Sequence, residues 1–233
     1  SCSGASNNGS LSGNSITGIQ LGSDQIVSCK FINSPKPATL IVNKVIKNDN
    51  GGTKVASNFS YQINGATAVP FESDGSNTQT VATGTYTIAE VQANQNGYIT
   101  SYEGCENVQI ALGETKICTI TNDDVAAGLT LVKNLVKNNG GTANATDWTL
   151  KATGSSALPT NLSGATGTAG ATSGSNFKAD TYTLSEANGP TGYSPSLWTC
   201  TNNVVVTNAQ ITLANGQSTT CTITNDDDAP GLT

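Results

Sequence analysis

The stretch Cys118-Thr119-Ile120-Thr121-Asn122-Asp123-Asp124 is the part of this chain that decides its fold. Apolar residues and threonines alternate along it with a period of two, which is typical of a β-strand with one buried face. Ile120 and Asn122 fall on the same face as the cysteine, so a polar amide lies in register with core residues. The stretch returns as Cys221-Thr222-Ile223-Thr224-Asn225-Asp226-Asp227 and, less closely, as Cys29-Lys30-Phe31-Ile32-Asn33. We expect it to be the last strand of a repeated unit.

Two complete repeats account for most of the 233 residues. Aligning the closing strands also aligns a Gly-Gly turn and a Thr-Tyr-Thr strand, and places two domains at 37–125 and 126–228. Residues 1–36 are interpreted as the closing hairpin of a preceding or strand-exchanged repeat, with a turn at Gly22-Ser23-Asp24, because they are too few to bury a core. Residues 229–233 are interpreted as the start of a next repeat or as a linker.

The composition and the residue pattern predict an all-β fold. Thr, Ser, Asn and Gly are abundant, while only 11% of the residues are charged. Strict alternation, as in Phe59, Tyr61 and Ile63, recurs in short runs that are separated by turn residues. About seven strands in each unit predict tandem antiparallel β-sandwich, Ig-like domains. The run 154–176 is predicted to be a surface loop with one weak strand.

Charge and motif content exclude several classes of function. The net charge of −6 argues against nucleic acid as a partner, because nucleic-acid binding requires clustered basic residues. No apolar run approaches the length that a membrane span needs, and no signal sequence is present, so we expect any export signal to lie outside this segment. The chain has no histidine, nucleophile elbow or phosphate loop, so it is not predicted to be an enzyme acting on an external substrate.

The six cysteines fall two to a repeat. Six cysteines allow fifteen connectivities, but the repetition favours pairing within each unit. Zinc is disfavoured because close Cys-x-x-Cys pairs and histidines are both missing from the sequence. Disulfides imply an oxidising compartment, which predicts an extracellular, cell-surface or secreted location. The predicted disulfides are Cys2–Cys29, Cys105–Cys118 and Cys200–Cys221.

Three polar residues fall on apolar faces in both complete units. Lysine and glutamate are seldom fully buried without a partner, and burying each costs several kcal/mol. The same triplet at equivalent positions of two repeats therefore requires a cause. Its members are Lys44, Glu90 and Asn122 in the first unit and Lys133, Glu186 and Asn225 in the second.

A covalent bond would remove this burial problem. In a dry interior, desolvation lowers the pKa of a lysine and raises that of a glutamic acid, and a neutral amine is a nucleophile. The amine can attack the asparagine carboxamide while the protonated acid polarises the carbonyl and relays protons. Ammonia leaves, and an amide then joins the first strand to the last. In the alternative interpretation, the lysine reaches water, the glutamate forms a salt bridge to it, and the asparagine begins a turn.

The motifs also resemble a known family. Leu-x-Val-x-Lys from Leu40, Gly-Thr-Tyr-Thr-x-x-Glu from Gly84, a following Gly-Tyr and a terminal Ile-Thr-Asn are similar to collagen-adhesin B-type, SpaA-like prealbumin-fold repeats of bacterial surface proteins and pilins. This resemblance implies an isopeptide bond from lysine to asparagine, promoted by the acid, in each unit. The chain departs from the family pattern in its cysteine pairs and in lacking the usual proline after Glu90. The implied bonds are Lys44–Asn122 with Glu90 and Lys133–Asn225 with Glu186.

These features favour a structural role over ligand binding. The leading hypothesis is an extracellular stalk or filament, stabilised by disulfides and isopeptide bonds, whose partners are other copies or repeats of the protein and, as further candidates, the cell wall or a host surface. The alternative is an adhesin module that binds a carbohydrate or host protein through loops 66–80 and 154–176, with Trp198 more typical of a core residue than of a sugar platform. Strand exchange by residues 1–36 is a third hypothesis.

Acidic runs at the domain ends are the remaining candidate site. Asp123-Asp124 and Asp226-Asp227-Asp228, together with Asn48-Asp49-Asn50, can offer oxygen ligands to Ca²⁺ at a domain junction. No loop with calcium-binding spacing is present, so a solvated linker is favoured. We therefore predict no metal site and no cofactor, with calcium as the one candidate.

Overall fold

The computed structural model describes residues 1–231, which form β-strands and three single-turn 3₁₀ helices, with no α-helix in that range. The predicted next repeat or linker at 229–233 lies partly on residues 232–233, outside the described residues. The strands, in chain order, are β1 (Cys2–Ser3), β2 (Asn7–Ser12), β3 (Ser15–Gln20), β4 (Ser28–Cys29), β5 (Ala38–Lys47), β6 (Ser60–Ile63), β7 (Val69–Pro70), β8 (Ser76–Val81), β9 (Gly84–Tyr86), β10 (Ile88–Glu90), β11 (Tyr98–Glu103), β12 (Val108–Ile110), β13 (Thr115–Asp124), β14 (Gly128–Val136), β15 (Thr149–Gly154), β16 (Leu162–Gly164), β17 (Asp180–Ala187), β18 (Tyr193–Pro195), β19 (Thr199–Cys200), β20 (Gln210–Leu213) and β21 (Ser218–Asp227). The 3₁₀ helices are η1 (Ala56–Asn58), η2 (Ala145–Asp147) and η3 (Ala169–Ala171).

The first domain is a two-layer sandwich. One layer has the strand order β11-β13-β5-β8, and the other consists of β10-β6-β7 with the pair β12-β9. Every second residue of β5 from Ala38 to Lys44 is buried, as the alternation predicts. The core between the layers includes Leu40, Tyr61 and Ile120, which are fully buried.

The first and last strands of each domain are parallel neighbours. β13 pairs with β5 from Thr115↔Thr39 to Asp123↔Lys47, and β21 pairs with β14 in the same way. The prediction of antiparallel sandwiches is therefore wrong for this one pair of strands in each domain. Parallel neighbours need a long crossover connection, and in each domain the rest of the domain supplies it. One consequence is that Lys44 and Asn122 lie on the same side of the sheet, two register positions apart.

The second domain repeats this architecture with small changes. Its layers are β14-β21-β18, with β19 also on β21, and β16-β15-β17-β20. β17 is one continuous strand where the first domain has β9 and β10. The domains have nine and eight strands, rather than about seven, because several of the strands have only two or three residues. The insert at 154–176 is a loop with one short strand, as predicted. The all-β, tandem β-sandwich class is confirmed.

The N-terminal segment differs from its predicted structure. The predicted turn at Gly22-Ser23-Asp24 is present, with Gln25 N donating to Gly22 O at 3.3 Å, and a further turn lies between Ser12 and Ser15. The strands pair as β2–β3 and β1–β4, however, so the predicted turn does not join two paired strands. The expected strand over 29–33 is wrong, because β4 ends at Cys29 and the side chains that follow are exposed. No sandwich layer covers them, and two prolines nearby cannot donate ladder hydrogen bonds. The assignment of residues 1–36 to a preceding or exchanged repeat stays a prediction.

The structure contains the three disulfides that repetition predicts. They are Cys2–Cys29, Cys105–Cys118 and Cys200–Cys221, with sequence separations of 27, 13 and 21. The latter two attach the closing strands β13 and β21 to the segment just before them. Within residues 1–231, no helix has the length and apolar character required to cross a bilayer.

Candidate functional site

The predicted triplet of the first domain forms one buried cluster. Lys44, Glu90 and Asn122 are 7%, 5% and 1% exposed. Lys44 Nζ donates hydrogen bonds to Glu90 Oε2 and to Asn122 Oδ1. Asn122 Nδ2 donates to Glu90 Oε1 at 2.9 Å. The amine, the acid and the carboxamide therefore close a ring of contacts in the core.

Strand pairing explains why these three side chains meet. In the parallel register, Lys44 lies opposite Ile120 and Asn122 opposite Ile46, so both polar side chains point into the sandwich. Glu90 ends β10 in the facing layer, and it is paired with Tyr61 of β6. Each polar residue faces inward because it lies an even number of positions from the buried apolar residues of its own strand, that is, it has the same parity as they have.

Aromatic rings and burial alter the protonation of the lysine. Lys44 Nζ lies 4.4 Å from the ring centroid of Phe59 and 5.5 Å from that of Phe71. Desolvation lowers the pKa of Lys44, although its hydrogen bond to Glu90 and the charge of that carboxylate act in the opposite direction. The lowered pKa increases the fraction of neutral amine, which is the nucleophilic form.

The second domain has the same cluster with a looser asparagine. Lys133 Nζ donates to Glu186 Oε2, and Asn225 Nδ2 donates to Glu186 Oε1 at 3.0 Å. Trp148 takes the place of Phe59, with its ring 4.6 Å from the amine. Desolvation again lowers the pKa of Lys133 against the opposing effect of Glu186. Asn225 Oδ1 is buried with no hydrogen-bond partner among the described residues.

The two clusters also differ in the residue that lies opposite the asparagine and in the exposure of the glutamate. Thr100 Oγ1 donates to Glu90 Oε1 at 3.2 Å and accepts from Asn122 Nδ2 at 3.3 Å. The corresponding residue opposite Asn225 is Pro195, which has no hydroxyl group. A cavity of about 380 Å³ borders Pro195 and Glu186. The glutamate side chain is accordingly 16% exposed there, compared with 1% in the first domain.

The arrangement is suited to amide formation. The lysine ammonium can pass a proton to the glutamate oxygen that it contacts, and the neutral amine can then attack the asparagine carbonyl carbon. The glutamic acid's other oxygen contacts Nδ2, so it is positioned to protonate the leaving amine. After the attack, Nζ gives one proton to the glutamate as the glutamate's acid proton passes to Nδ2. The carbon–nitrogen bond to Nδ2 then breaks, ammonia leaves, and Nζ becomes an amide nitrogen. No oxidant or cofactor is required.

Sequence reasoning predicted that all six cluster residues face the interior, but it did not predict which residues contact them. Thr100 gave no signal, because its contact depends on the register of β11 with β13. Phe59 was expected to be a core residue, and its position over the lysine could be seen only after β6 was placed. Trp198 is 7% exposed and lies in the core, which agrees with the expectation that it is a core residue.

The acidic run of the first domain is not a solvated linker. Asp124 is 3% exposed, and its carboxylate accepts backbone N–H groups of Asp49 at 3.0 Å, Asn50 at 2.9 Å and Gly52 at 2.6 Å. The solvated-linker interpretation is therefore wrong for this residue. Oxygen atoms of Asp49, Asp123 and Asp124 lie within 4.8 Å of one another. Because N–H donors already occupy the Asp124 carboxylate, a calcium ion would compete with them, and calcium binding stays a hypothesis.

Comparison with known proteins identifies the fold family of the chain. Residues 35–122 and 124–223 each match the family model of the SpaA-type prealbumin-like fold domain. The chain belongs to this family. The resemblance of its opening strand, its Thr-Tyr-Thr strand and its closing strand to prealbumin-fold repeats is thereby confirmed. No curated protein sequence matches the chain.

Several solved structures are similar to this chain, one of them with a TM-score above 0.5. The Bacillus anthracis TIE protein shares 13% identity at a TM-score of 0.51, over 88% of this chain and 37% of that one. The pilus adhesin SpaC from Lactobacillus rhamnosus GG has 10% identity and a TM-score of 0.33, over 94% and 31%. The major pilin T-13 from Streptococcus pyogenes has 12% and 0.37, over 83% and 97%. This prealbumin-fold chain thus spans about a third of the length of the first two.

Proposed function

We propose that these tandem prealbumin domains form an extracellular stalk or filament segment that resists mechanical extension, with a lysine–asparagine isopeptide bond in each domain. The observation that supports this most directly is the buried contact of Lys44 with both Glu90 and Asn122. In the second domain, Lys133 and Asn225 each contact the shared Glu186, and the buried Asn225 Oδ1 has no hydrogen-bond partner among the described residues. A structural role also agrees with family membership and with the lack of histidine in the sequence. The partners in such a filament would be other copies or repeats of the protein.

The bond would connect the two strands through which tension enters and leaves a domain. A force applied at the start of β5 and the end of β13 passes along Lys44 and Asn122, which are separated by 78 residues. A covalent link between them shields the intervening chain, which would otherwise extend by about 230 Å, because Cys105–Cys118 keeps 13 of its residues from extending. The corresponding segment between Lys133 and Asn225 would extend by roughly 250 Å, with the 21 residues inside Cys200–Cys221 excluded.

The disulfides strengthen the same closing strands. Cys105–Cys118 and Cys200–Cys221 close loops of 13 and 21 residues onto β13 and β21. The chain-entropy model assigns about 3 kcal/mol to a loop of this size. Because such bonds persist in oxidising compartments, they support placement at the cell surface.

Single-molecule force spectroscopy tests the proposal. We expect the wild-type first domain to show no large extension step, and the Lys44→Met variant with its disulfide intact to show a new step of about 230 Å. Lys47→Met is the matched control, because Lys47 lies on the same strand with its side chain 56% exposed, and it should behave as wild type. A step of this size in the wild-type protein would contradict the proposal.

A second candidate function is ligand binding at the cavity of the second domain. Leu197, Trp198, Val206 and Ile223 line this space of about 380 Å³, next to Glu186. Its largely apolar lining is typical of small-molecule sites. Leu197 is 88% exposed, so Leu197→Ser should leave the fold intact. Binding on a glycan or peptide array that disappears in this variant would support an adhesin module, and an array without binding would contradict it.

A further inference from the structure

The two domains meet through a hairpin turn of the second that enters a carboxylate site of the first. Asn215 lies in the turn between β20 and β21. Its Nδ2 donates to Asn50 O at 3.1 Å, to Asp124 Oδ2 at 3.2 Å and to Val125 O at 3.3 Å. The next residue, Gly216, donates its backbone N–H to Val125 O at 2.9 Å. An Asn-Gly turn therefore supplies the donors for three convergent acceptors.

Two glycines of the first domain permit this close approach. Gly51 and Gly97 have φ values of +91° and +75°. A Cβ atom on Gly51 would collide with the backbone of Ala179, and one on Gly97 would collide with Asn215. Ala179 in turn donates its backbone N–H to Asn50 O at 2.8 Å.

The far end of the second domain carries a copy of this carboxylate site. Asp227 accepts backbone N–H groups from Asn138 at 2.8 Å, Asn139 at 2.9 Å and Gly141 at 2.6 Å. Burial opposes ionisation, but these N–H donors prevail and lower the pKa of Asp227, so the group is a carboxylate at neutral pH. Asp228 N donates to Gly192 O at 2.9 Å, as Val125 N does to Gly97 O at 2.8 Å.

This copy has open space where the first domain has a neighbour. Gly140 and Gly192 correspond to Gly51 and Gly97, with φ values of +92° and +80°. Neither has any heavy atom of the described residues within 4 Å of a Cβ position. A cavity of about 460 Å³ lies beside them, lined also by Asn139, Tyr193 and Asp227.

We propose that this pole of the second domain is a docking site for the hairpin turn of a further prealbumin domain that carries asparagine followed by glycine. By alignment with the first domain, the counterparts of its three acceptors are Asn139 O, Asp227 Oδ2 and Asp228 O. A carboxamide N–H₂ would match them as Asn215 Nδ2 matches Asn50 O, Asp124 Oδ2 and Val125 O. The corresponding turn of the first domain has Leu112 in place of asparagine, and the leucine side chain cannot donate a hydrogen bond. The docking domain must therefore resemble the second domain, which has asparagine at this turn. Two copies of the present chain do not stack through this contact, because the first domain of each copy has leucine there. The proposal does not depend on the isopeptide bonds.

An extended chain tests the proposal, in which a second copy of residues 126–228 follows Asp228. Spin labels on encoded azido residues, which spare the disulfides, report distances by double electron–electron resonance. One pair occupies Gln109 and Thr212, which are equivalent exposed positions on either side of the existing junction. The other pair occupies Thr212 and its counterpart in the added copy. We expect two narrow distance distributions with the same mean.

The matched variant replaces asparagine with leucine at the Asn215 position of the added copy only. Because Leu112 is accommodated in the same turn of the first domain, the variant should fold. It is expected to broaden the distribution across the new junction and to leave that across the existing junction unchanged. A broad distribution for the unaltered extended chain, or one that stays narrow with leucine, would overturn the proposal.

Discussion

Replacing Glu186 with glutamine should destabilise the second domain severely, for two separable reasons. Without the acid, no proton relay remains and the bond from Lys133 to Asn225 cannot form. Loss of a crosslink that closes a loop of about 90 residues reduces the free energy of unfolding by about 4.5 kcal/mol in the chain-entropy model. The unreacted Lys133, with its side chain 0% exposed, is also left without a carboxylate, which costs about 3 kcal/mol or more.

The combined loss of about 7 kcal/mol is comparable with the whole stability of an ordinary domain, which is about 5–15 kcal/mol. Denaturant unfolding followed by tryptophan fluorescence measures it directly, because both tryptophans, Trp148 and Trp198, lie in the second domain. Glu90→Gln serves as the control, since it acts on the first domain and should leave this transition in place.

A double variant separates the two contributions. Lys133→Met with Glu186→Leu removes the crosslink and both charges together, so we expect a loss of about 4.5 kcal/mol only. The reasoning is refuted if either variant unfolds at the wild-type denaturant concentration, because no covalent bond would then have been lost.

Three further predictions follow from the clusters and the disulfides. Thr100→Val removes a hydrogen bond worth about 1 kcal/mol, so crosslinking of the first domain should slow about fivefold, measured as ammonia loss by mass after cell-free synthesis. In the Asn122→Ala variant, Lys44 stays unreacted and keeps a pKa below its ordinary value of 10.5, so between these two pKa values the unfolded state binds more protons than the folded state. The denaturant midpoint of this variant should therefore rise with pH over that range, relative to the midpoint of the double variant Lys44→Met/Asn122→Ala. Replacing Cys105 and Cys118 with alanine should lower the first domain's unfolding free energy by about 3 kcal/mol, measured by denaturant unfolding monitored by circular dichroism.

Residue parity carried most of the predictive information about the clusters. Lys44, Glu90 and Asn122 could be assigned to the interior because each keeps the parity of its apolar strand neighbours. Parity says nothing about which strands pair, so it could not reveal the parallel contact of β5 with β13 or the position of Thr100. That information depends on how distant strands are arranged, and residue alternation within one strand does not contain it.

The acidic runs and the N-terminal segment show where local patterns mislead. Asp124 and Asp227 look solvated in sequence, yet backbone N–H groups from a distant Gly-Gly turn bind and bury them. Phe31 takes the place of the buried Ile120 in the aligned stretch, yet it is 59% exposed because no sandwich layer covers it. In both cases tertiary surroundings that are absent from the local sequence decide the burial.

The most direct test is the intact mass of the reduced, denatured protein. Each lysine–asparagine bond releases one ammonia, so the account predicts a mass lower than that of the sequence by two ammonia molecules. Peptide mapping should then find Lys44 joined to Asn122 and Lys133 joined to Asn225. A mass equal to that of the unmodified sequence would contradict the central claim that the buried clusters are covalent crosslinks.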